Sequence, residues 1–364
     1  MYRCYYRVSL MIENRLKKIK SIVPVIAIFM FTVLCISGCN KKSDFVSKQF
    51  FAMDTWMEIH LPASIDETLL NTYFEEIEAL IRELEGICSV TSPVSDLYRL
   101  NNSTEETVTE LNSTLLKILF EAEVLEDLTN GAFCDKLYSI SREWGFTTGN
   151  YKVPDSGLIE DMLCEIREAA DNNRILITND SIKRPVGICF DLGGIAKGYA
   201  TDMVVSYLKE KGINDAIINL GGNIFVLGTK ADGSLVNVGI TDPFDESVLG
   251  TLALSGKAVV TSGNYERYFE SDGKKYHHII DSKTGYPADN GLVSVTIIAE
   301  DASYADALST ALFVMGLEDA SEFWRQNGDT FDVIFVSGNK DIYYTGGIAE
   351  VFKCNKDYKK NVIK

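Results

Sequence analysis

Asp306 and Thr310 are the pair whose residue types and spacing point most directly to chemistry. They lie in Ala305-Asp306-Ala307-Leu308-Ser309-Thr310-Ala311-Leu312-Phe313, a run that reads as helix. On a helix, residues four apart share a face, so a carboxylate and a hydroxyl project together while Leu308, Leu312 and Met315 take the buried side. Two oxygens cannot complete an octahedron. Magnesium nevertheless accepts few protein ligands where phosphates and water fill the other positions. The same spacing also suits an Asp capping a helix start and a Thr bonding back to a carbonyl.

A second element is Phe190-Asp191-Leu192-Gly193-Gly194-Ile195-Ala196-Lys197-Gly198-Tyr199-Ala200-Thr201-Asp202. It reads as a strand, a double glycine and a helix, so unblocked backbone N–H groups at the helix start suit a phosphate. Lys197 in the first turn adds a full positive charge. The spacing is neither GxxxxGK[ST] nor GxGxxG, and a glycine turn with a surface lysine is also a common purely structural device. Asn219-Leu220-Gly221-Gly222 echoes Asp191-Leu192-Gly193-Gly194, as if two strands delivered similar turns to one cleft.

The third element joins Thr261-Ser262-Gly263-Asn264-Tyr265-Glu266-Arg267-Tyr268 to His277-His278-Ile279-Ile280-Asp281-Ser282-Lys283-Thr284-Gly285-Tyr286-Pro287. Adjacent histidines in a strand point to opposite faces, so at most one reaches a cleft. That one could serve a hydroxyl nucleophile as general base or hydrogen-bond a cofactor; a buried, satisfied histidine is the alternative.

The elements that must position these residues are partly visible. Thr68–Glu85 has apolar residues three and four apart and predicts an amphipathic helix. A polar stretch, Ser89–Glu110, leads to a second helix near Leu111–Leu128. From Arg174 onward short β-rich runs appear, at Ile175–Ile177, Ala216–Leu220, Ile224–Leu227, Val236–Ile240 and Leu292–Ala299, punctuated by glycine turns and interrupted by helices at Ala200–Lys211 and Tyr304–Arg325. This irregular alternation predicts an α+β fold, helices packed on one large mixed sheet.

Ahead of all this stands a leader. Six bases, Arg3, Arg7, Arg15, Lys17, Lys18 and Lys20, face one acid, Glu13, and precede the apolar run Ile22–Gly38. That is a secretory signal, and Ile36-Ser37-Gly38-Cys39 has the small residues and cysteine of a bacterial lipoprotein processing site. An uncleaved anchor is the alternative, since the run can just span hydrocarbon; Met11 is an alternative start. The expected organisation is a signal peptide over 1–38, a polar tether over 39–48 and one domain over 49–364, held by a lipid at Cys39 on the extracytoplasmic face of the membrane. The 364-residue chain carries a formal net charge of −17, and without the basic leader it is more acidic still. Such a surface argues against nucleic acid or anionic lipid as partner, and solubility accounts for it. Of eight cysteines, Cys88, Cys134, Cys164, Cys189 and Cys354 follow Cys39, an odd number without CxxC spacing. Neither zinc nor a disulfide framework is indicated, and free thiols in an exported protein suggest a reducing habitat.

In this order the blocks resemble the ApbE family, the FAD:protein FMN transferases. The matching pieces are Met53-Asp54-Thr55, Ser95–Asn101, Trp144-Gly145-Phe146, Asp191–Asp202, Ile218–Ile224, Val238–Pro243, Thr261–Tyr268, His277–Pro287 and Ala305–Gly316, nearly the whole chain after the leader. The resemblance implies a T-fold-like architecture and Mg2+-dependent transfer of FMN from FAD to a Ser or Thr hydroxyl of an exported flavoprotein. It implies a metal held by the Gly194 carbonyl, Asp306 and Thr310, with Asp306 and His278 catalytic. FAD contacts are implied at Met53 against the flavin, at Asp191 and Lys197, at Ser262 and Gly263, at His278 and Ile279, and along Ala132, Phe133, Cys134 and Asp135. The last four depart from the family pattern G-x-F-D-x-T, because this chain reads Gly131-Ala132-Phe133-Cys134-Asp135-Lys136. Cysteine stands at the cofactor-binding aspartate and Asp135 is the nearest substitute. An FAD pyrophosphatase giving FMN and AMP, or a non-catalytic flavin-binding lipoprotein, are the rival readings.

Overall fold

A computed structural model describes residues 44–171 and 175–364. The leader and Cys39 lie outside the described residues. Nine strands form one sheet in the order Phe45–Ala52, Thr55–Pro62, Ala216–Leu220, Asn223–Leu227, Lys257–Gly263, Leu292–Ala299, Phe331–Ser337, Ile342–Thr345 and Lys360–Ile363. Neighbours are antiparallel except the last pair, which is parallel. No helix among the described residues is long and apolar enough to cross a membrane.

Both faces of this sheet are covered, and strand periodicity divides the side chains between them. Ala258 and Val260 of the fifth strand join the larger core, shared with the helices Glu67–Cys88, Ala196–Glu210 and Ala302–Asn327, while Val259 turns to a second core. There it meets Val238, Ile240, Leu249 and Leu252 of a three-stranded sheet built from Val236–Thr241, Val248–Leu254 and Phe352–Cys354. The helix Glu67–Cys88 buries Leu70, Phe74, Ile77, Ile81, Leu84 and Ile87 in a three-and-four stripe. Full burial of each contributes roughly 1.5–3 kcal/mol. Asp66 starts the helix, its Oδ1 accepting the Thr68 N–H at 2.9 Å.

The two central helices cap each other. Asp202, on Ala196–Glu210, accepts the Ala302 and Ser303 amides at the start of Ala302–Asn327, both at 2.8 Å. Asp306, on Ala302–Asn327, accepts the Gly198 amide at 2.9 Å in the first turn of Ala196–Glu210. Each carboxylate satisfies N–H groups that a helix start leaves open, and each sits at the positive end of the other dipole. The helices approach so closely that a Cβ on Gly198 would lie 2.3 Å from the Ala302 carbonyl oxygen, so glycine is required there.

The expected α+β class and the principal elements match, with ends shifted by a few residues. Four expectations change. Phe45–Lys48 belong to the edge strand Phe45–Ala52, so a tether cannot extend to residue 48. The polar stretch after Cys88 contains the helix Asp96–Asn101 and the strand Thr107–Thr109, and two further helices, Tyr138–Trp144 and Ser156–Asp171, follow. Among the described residues no strand runs directly into the Gly193-Gly194 turn, the last one before it ending at Lys183; instead the Asn101 side chain takes the place of a neighbouring strand, accepting the Phe190 amide at 2.7 Å and donating to its carbonyl at 2.8 Å. Finally, Met315 is only partly buried, whereas Leu308 and Leu312 are wholly so.

Candidate active site

Both glycine turns open onto one cleft of about 650 Å³, which gathers residues from nearly every block singled out above. One side is the start of Ala196–Glu210. Its N-cap, Ile195, offers no side-chain hydrogen bond, and the amides expected to stay open for a phosphate are mostly committed: those of Ile195 and Ala196 donate to the Leu192 carbonyl at 3.0 and 2.8 Å, that of Gly198 to Asp306. Asp191 shapes the preceding turn by accepting the Gly193 amide at 2.9 Å. Burial pushes its carboxyl above the usual range, against that hydrogen bond and the charges of Arg267 and Lys197. Lys197 Nζ lies 3.3 Å from the Gly193 carbonyl and 3.8 Å from Asp306 Oδ1.

Gly194, Asp306 and Thr310 meet at this point. A Cβ on Gly194 would stand 3.5 Å from Thr310 Oγ1 and 3.2 Å from the Phe133 ring, so the turn is packed tightly between them. In regular helix the Gly198 amide would close on the Gly194 carbonyl. It donates to Asp306 Oδ2 instead, leaving that carbonyl without its helical bond. Thr310 Oγ1 reaches the Asp306 carbonyl only at 3.5 Å and Ser262 Oγ at 3.4 Å, so its hydroxyl is weakly committed. A buried carboxylate, a hydroxyl and a released carbonyl form a hard oxygen set that fits Mg2+. Among the described residues no group of three or more His, Cys, Asp or Glu could hold a metal, so an ion here would depend on phosphate and water for the rest of its shell.

Of the histidine pair, only His278 lines the cleft. His277 is buried, with Nε2 2.9 Å from the Ala288 carbonyl and Nδ1 accepting the Ile279 amide at 3.3 Å. His278 Nδ1 faces the Arg267 carbonyl at 3.3 Å, so in the neutral ring Nδ1–H donates there and Nε2 keeps its lone pair. Desolvation and the nearby Arg267 hold His278 down to about 3, and desolvation lowers His277. Native histidines with depressed values bind fewer protons than unfolded ones, so both draw stability away as pH falls below 6.5. Imidazole NMR titration should give midpoints below 6.5 for both, His278 the lower; a His278 midpoint at or above 6.5 would contradict this environment.

The far end is the hairpin turn Met53-Asp54, two residues with φ of 48° and 58° closed by the pair Ala52 and Thr55. Such left-handed turns match strand twist. Glu85 Oε1 accepts the Met53 amide at 2.8 Å, and Thr55 packs on Gly221, whose φ of 66° and lack of side chain the contact needs. Ala132, Phe133, Ser262 and Ile279 also line the cleft.

Two expected contacts are not brought to the wall. Gly263 lies behind it, its bare α-carbon making room for the Tyr265 ring. Asp135 turns away. Its carboxylate is buried beside Lys136, whose Nζ lies 3.1 Å from Asp135 Oδ1, 2.7 Å from Glu123 and 2.6 Å from Glu126. Cys134 therefore occupies the cleft position alone, and burial keeps its thiol protonated. Cys134→Asp would restore an acceptor where the family pattern has one. We expect FAD affinity to rise about tenfold, one charge-assisted hydrogen bond, with a lower Tm from the added carboxylate near Glu126 and Asp135. Calorimetric titration showing no gain in affinity would refute it.

Sequence reasoning missed Glu85, Glu266, Arg267 and Asn223, all on the wall. Asn223 sits in the second glycine block, its Oδ1 3.0 Å from Thr201 Oγ1 and its Nδ2 buried without a partner. The position within that block was its only signal.

Comparisons with known proteins bear on this geometry. A family model described as the ApbE family matches residues 53–335. The chain is 34% identical over 281 residues to an FAD:protein FMN transferase of Klebsiella pneumoniae strain 342, covering 77% of this chain and 85% of that protein. A protein of the same name from Treponema pallidum is 33% identical, covering 76% and 80%. The crystal structure of the ApbE protein from Thermotoga maritima superposes with a TM-score of 0.77 at 32% identity, over 84% of this chain and 99% of that one. The apo flavinyl transferase ApbE of Pseudomonas stutzeri gives 0.75 at 26%, over 86% and 99%.

Proposed function

The chain belongs to the ApbE family, and from that premise we propose that it transfers FMN from FAD to a serine or threonine hydroxyl of an exported flavoprotein, releasing AMP. The observation that carries this reading is the meeting of the freed Gly194 carbonyl, Asp306 and Thr310 beside Lys197. Those three groups would hold Mg2+, which when bound would offset charge on the pyrophosphate as it splits. Lys197, on the cleft wall at the start of Ala196–Glu210, orients the phosphates. The acceptor oxygen bonds to the FMN phosphorus, the bond from that phosphorus to the AMP oxygen breaks, and AMP departs with the electron pair.

His278 Nε2 is the group placed to take the hydroxyl proton. Desolvation, with Arg267 and Lys197 beside it, keeps its basicity low, and an entering pyrophosphate would offset those two charges and raise it. Among the described residues no serine or threonine hydrogen-bonds to the His278 ring, which supports an acceptor from outside. Water can replace that hydroxyl, but an oriented side chain gains up to roughly 7–11 kcal/mol over a diffusing nucleophile. FAD consumption, followed as AMP release with Mg2+, is therefore expected to be slow alone and fast with a suitable acceptor. Full-speed cleavage without acceptor would replace this reading with a pyrophosphatase, and no cleavage in either case with a flavin-binding protein.

We place the enzyme on the extracytoplasmic face of a bacterial membrane, held by a lipid on Cys39, from the leader and the small residues before that cysteine. Cys39→Ser should release the protein from membranes or stall its processing; membrane retention with a cleaved leader would sink the assignment.

A further inference from the structure

Within an acidic chain, the cleft wall carries five carboxylates, Asp54, Glu85, Asp191, Glu266 and Asp306, against two fixed cations, Lys197 and Arg267. A wall of that balance does not collect anions indiscriminately. Lys197 is already occupied by the Gly193 carbonyl and Asp306. Arg267 is not: among the described residues its guanidinium has no ion pair and no hydrogen bond, although Glu266 is its neighbour in sequence. Its backbone, by contrast, is pinned. The Arg267 carbonyl accepts the His278 amide at 3.0 Å and faces His278 Nδ1 at 3.3 Å, fixing the bend between Lys257–Gly263 and Tyr268–Ser271. The side chain thus starts from a fixed point on the cleft rim, and its charge is felt at Asp191 and His278.

A guanidinium offers five donors in a planar fork matched to two oxygens of one phosphate, and this one, uncommitted on the rim of the cleft that also holds Asp191 and the Gly193-Gly194 turn, can take such an anion. We propose that Arg267 is a catalytic residue that binds the FAD pyrophosphate directly in the cleft it shares with the Asp306–Thr310 oxygens, and neutralises charge on it as the bond to AMP breaks. The inference rests on the FAD reading above and adds to it a protein cation that acts whether or not a metal is bound. It also places the phosphate beside His278, since one residue presents its carbonyl to that ring and its guanidinium to the anion.

The test compares wild type with Arg267→Met and Arg267→Lys in the full-length protein. Binding of inorganic pyrophosphate, measured calorimetrically with EDTA present, reads the anion contact without turnover; kcat/KM for FAD with Mg2+ and acceptor reads the reaction. Loss of one bidentate charged contact should weaken pyrophosphate binding about tenfold and lower kcat/KM on the order of 10- to 100-fold in Arg267→Met. Arg267→Lys should recover part of both, and added free guanidinium should restore part of the Arg267→Met rate, which a purely structural role would not allow. Pyrophosphate affinity and kcat/KM both within about twofold of wild type would overturn the assignment, as would a lost rate that guanidinium cannot raise with pyrophosphate binding unchanged. Wild type that fails to consume FAD would sink the transferase reading, while the pyrophosphate comparison would still decide the contact.

Discussion

Asp306→Asn is expected to reduce Mg2+-dependent turnover by at least about 100-fold, in line with the roughly 2.7–4 kcal/mol lost when a preorganised electrostatic group is removed. The choice of asparagine matters because Asp306 has two tasks. One oxygen accepts the Gly198 amide at 2.9 Å and holds the two central helices together; the other faces Lys197 at 3.8 Å on the cleft side. An asparagine oxygen can still accept the amide, so the cap survives while the charge is lost. Alanine removes both and should add about 1 kcal/mol of destabilisation from the lost cap. Turnover and thermal melts of the two variants separate the tasks: both inactive, but only Asp306→Ala with a clearly lower Tm. Near-native turnover in Asp306→Asn would remove the metal assignment.

The second large effect lies beneath the cleft, at Lys136. Burial would drive this ammonium to shed its proton, but Asp135, Glu126 and Glu123 outweigh burial and keep it charged. Lys136→Met leaves three carboxylates around a buried point without a counter-ion, and breaking such a cluster costs about 3–5 kcal/mol. For a domain of this size that is on the order of 10 °C in Tm. The loss has a defined pH sense. Burial already raises Glu126 to about 7, despite Lys136, and without the lysine the carboxyls rise further. Carboxyls raised in the folded state take up protons as pH falls, so the variant should be less destabilised at pH 5.5 than at pH 8. A Tm equal to wild type, or a loss that grows on acidification, would contradict this account of the cluster. Ala132, Phe133 and Cys134 line the cleft in the same segment, so the substitution should weaken FAD binding as well.

These two residues also show how far the sequence could be read. The three-and-four stripe of Glu67–Cys88 and the short β-rich runs at Ala216–Leu220 and Leu292–Ala299 are local patterns, and they predict the α+β class because each element's burial is written in its own residues. The site was legible as short blocks, since glycine turns and an Asp-x-x-x-Thr helix carry their geometry with them. What linked the blocks was not. Asp202 and Asp306 cap each other's helices across about a hundred residues, and nothing in either segment announces its partner. Phe190 looked like a strand residue because it ends an apolar run, but the Asn101 side chain satisfies its backbone. Asp135 looked like the substitute for a missing acid until Lys136 drew its carboxylate away from the cleft. Charge partners chosen by the fold, not by neighbours in sequence, decided each of these cases.

The central claim is that the flavin ends on a protein. Incubating the mature enzyme with FAD, Mg2+ and exported flavoproteins, and measuring the intact mass of each, tests it most directly. The account predicts that one acceptor gains the mass of FMN less one water, at a serine or threonine, while AMP accumulates in equal amount and Asp306→Asn produces neither. FMN and AMP released together at full rate, with no protein gaining mass, would contradict it.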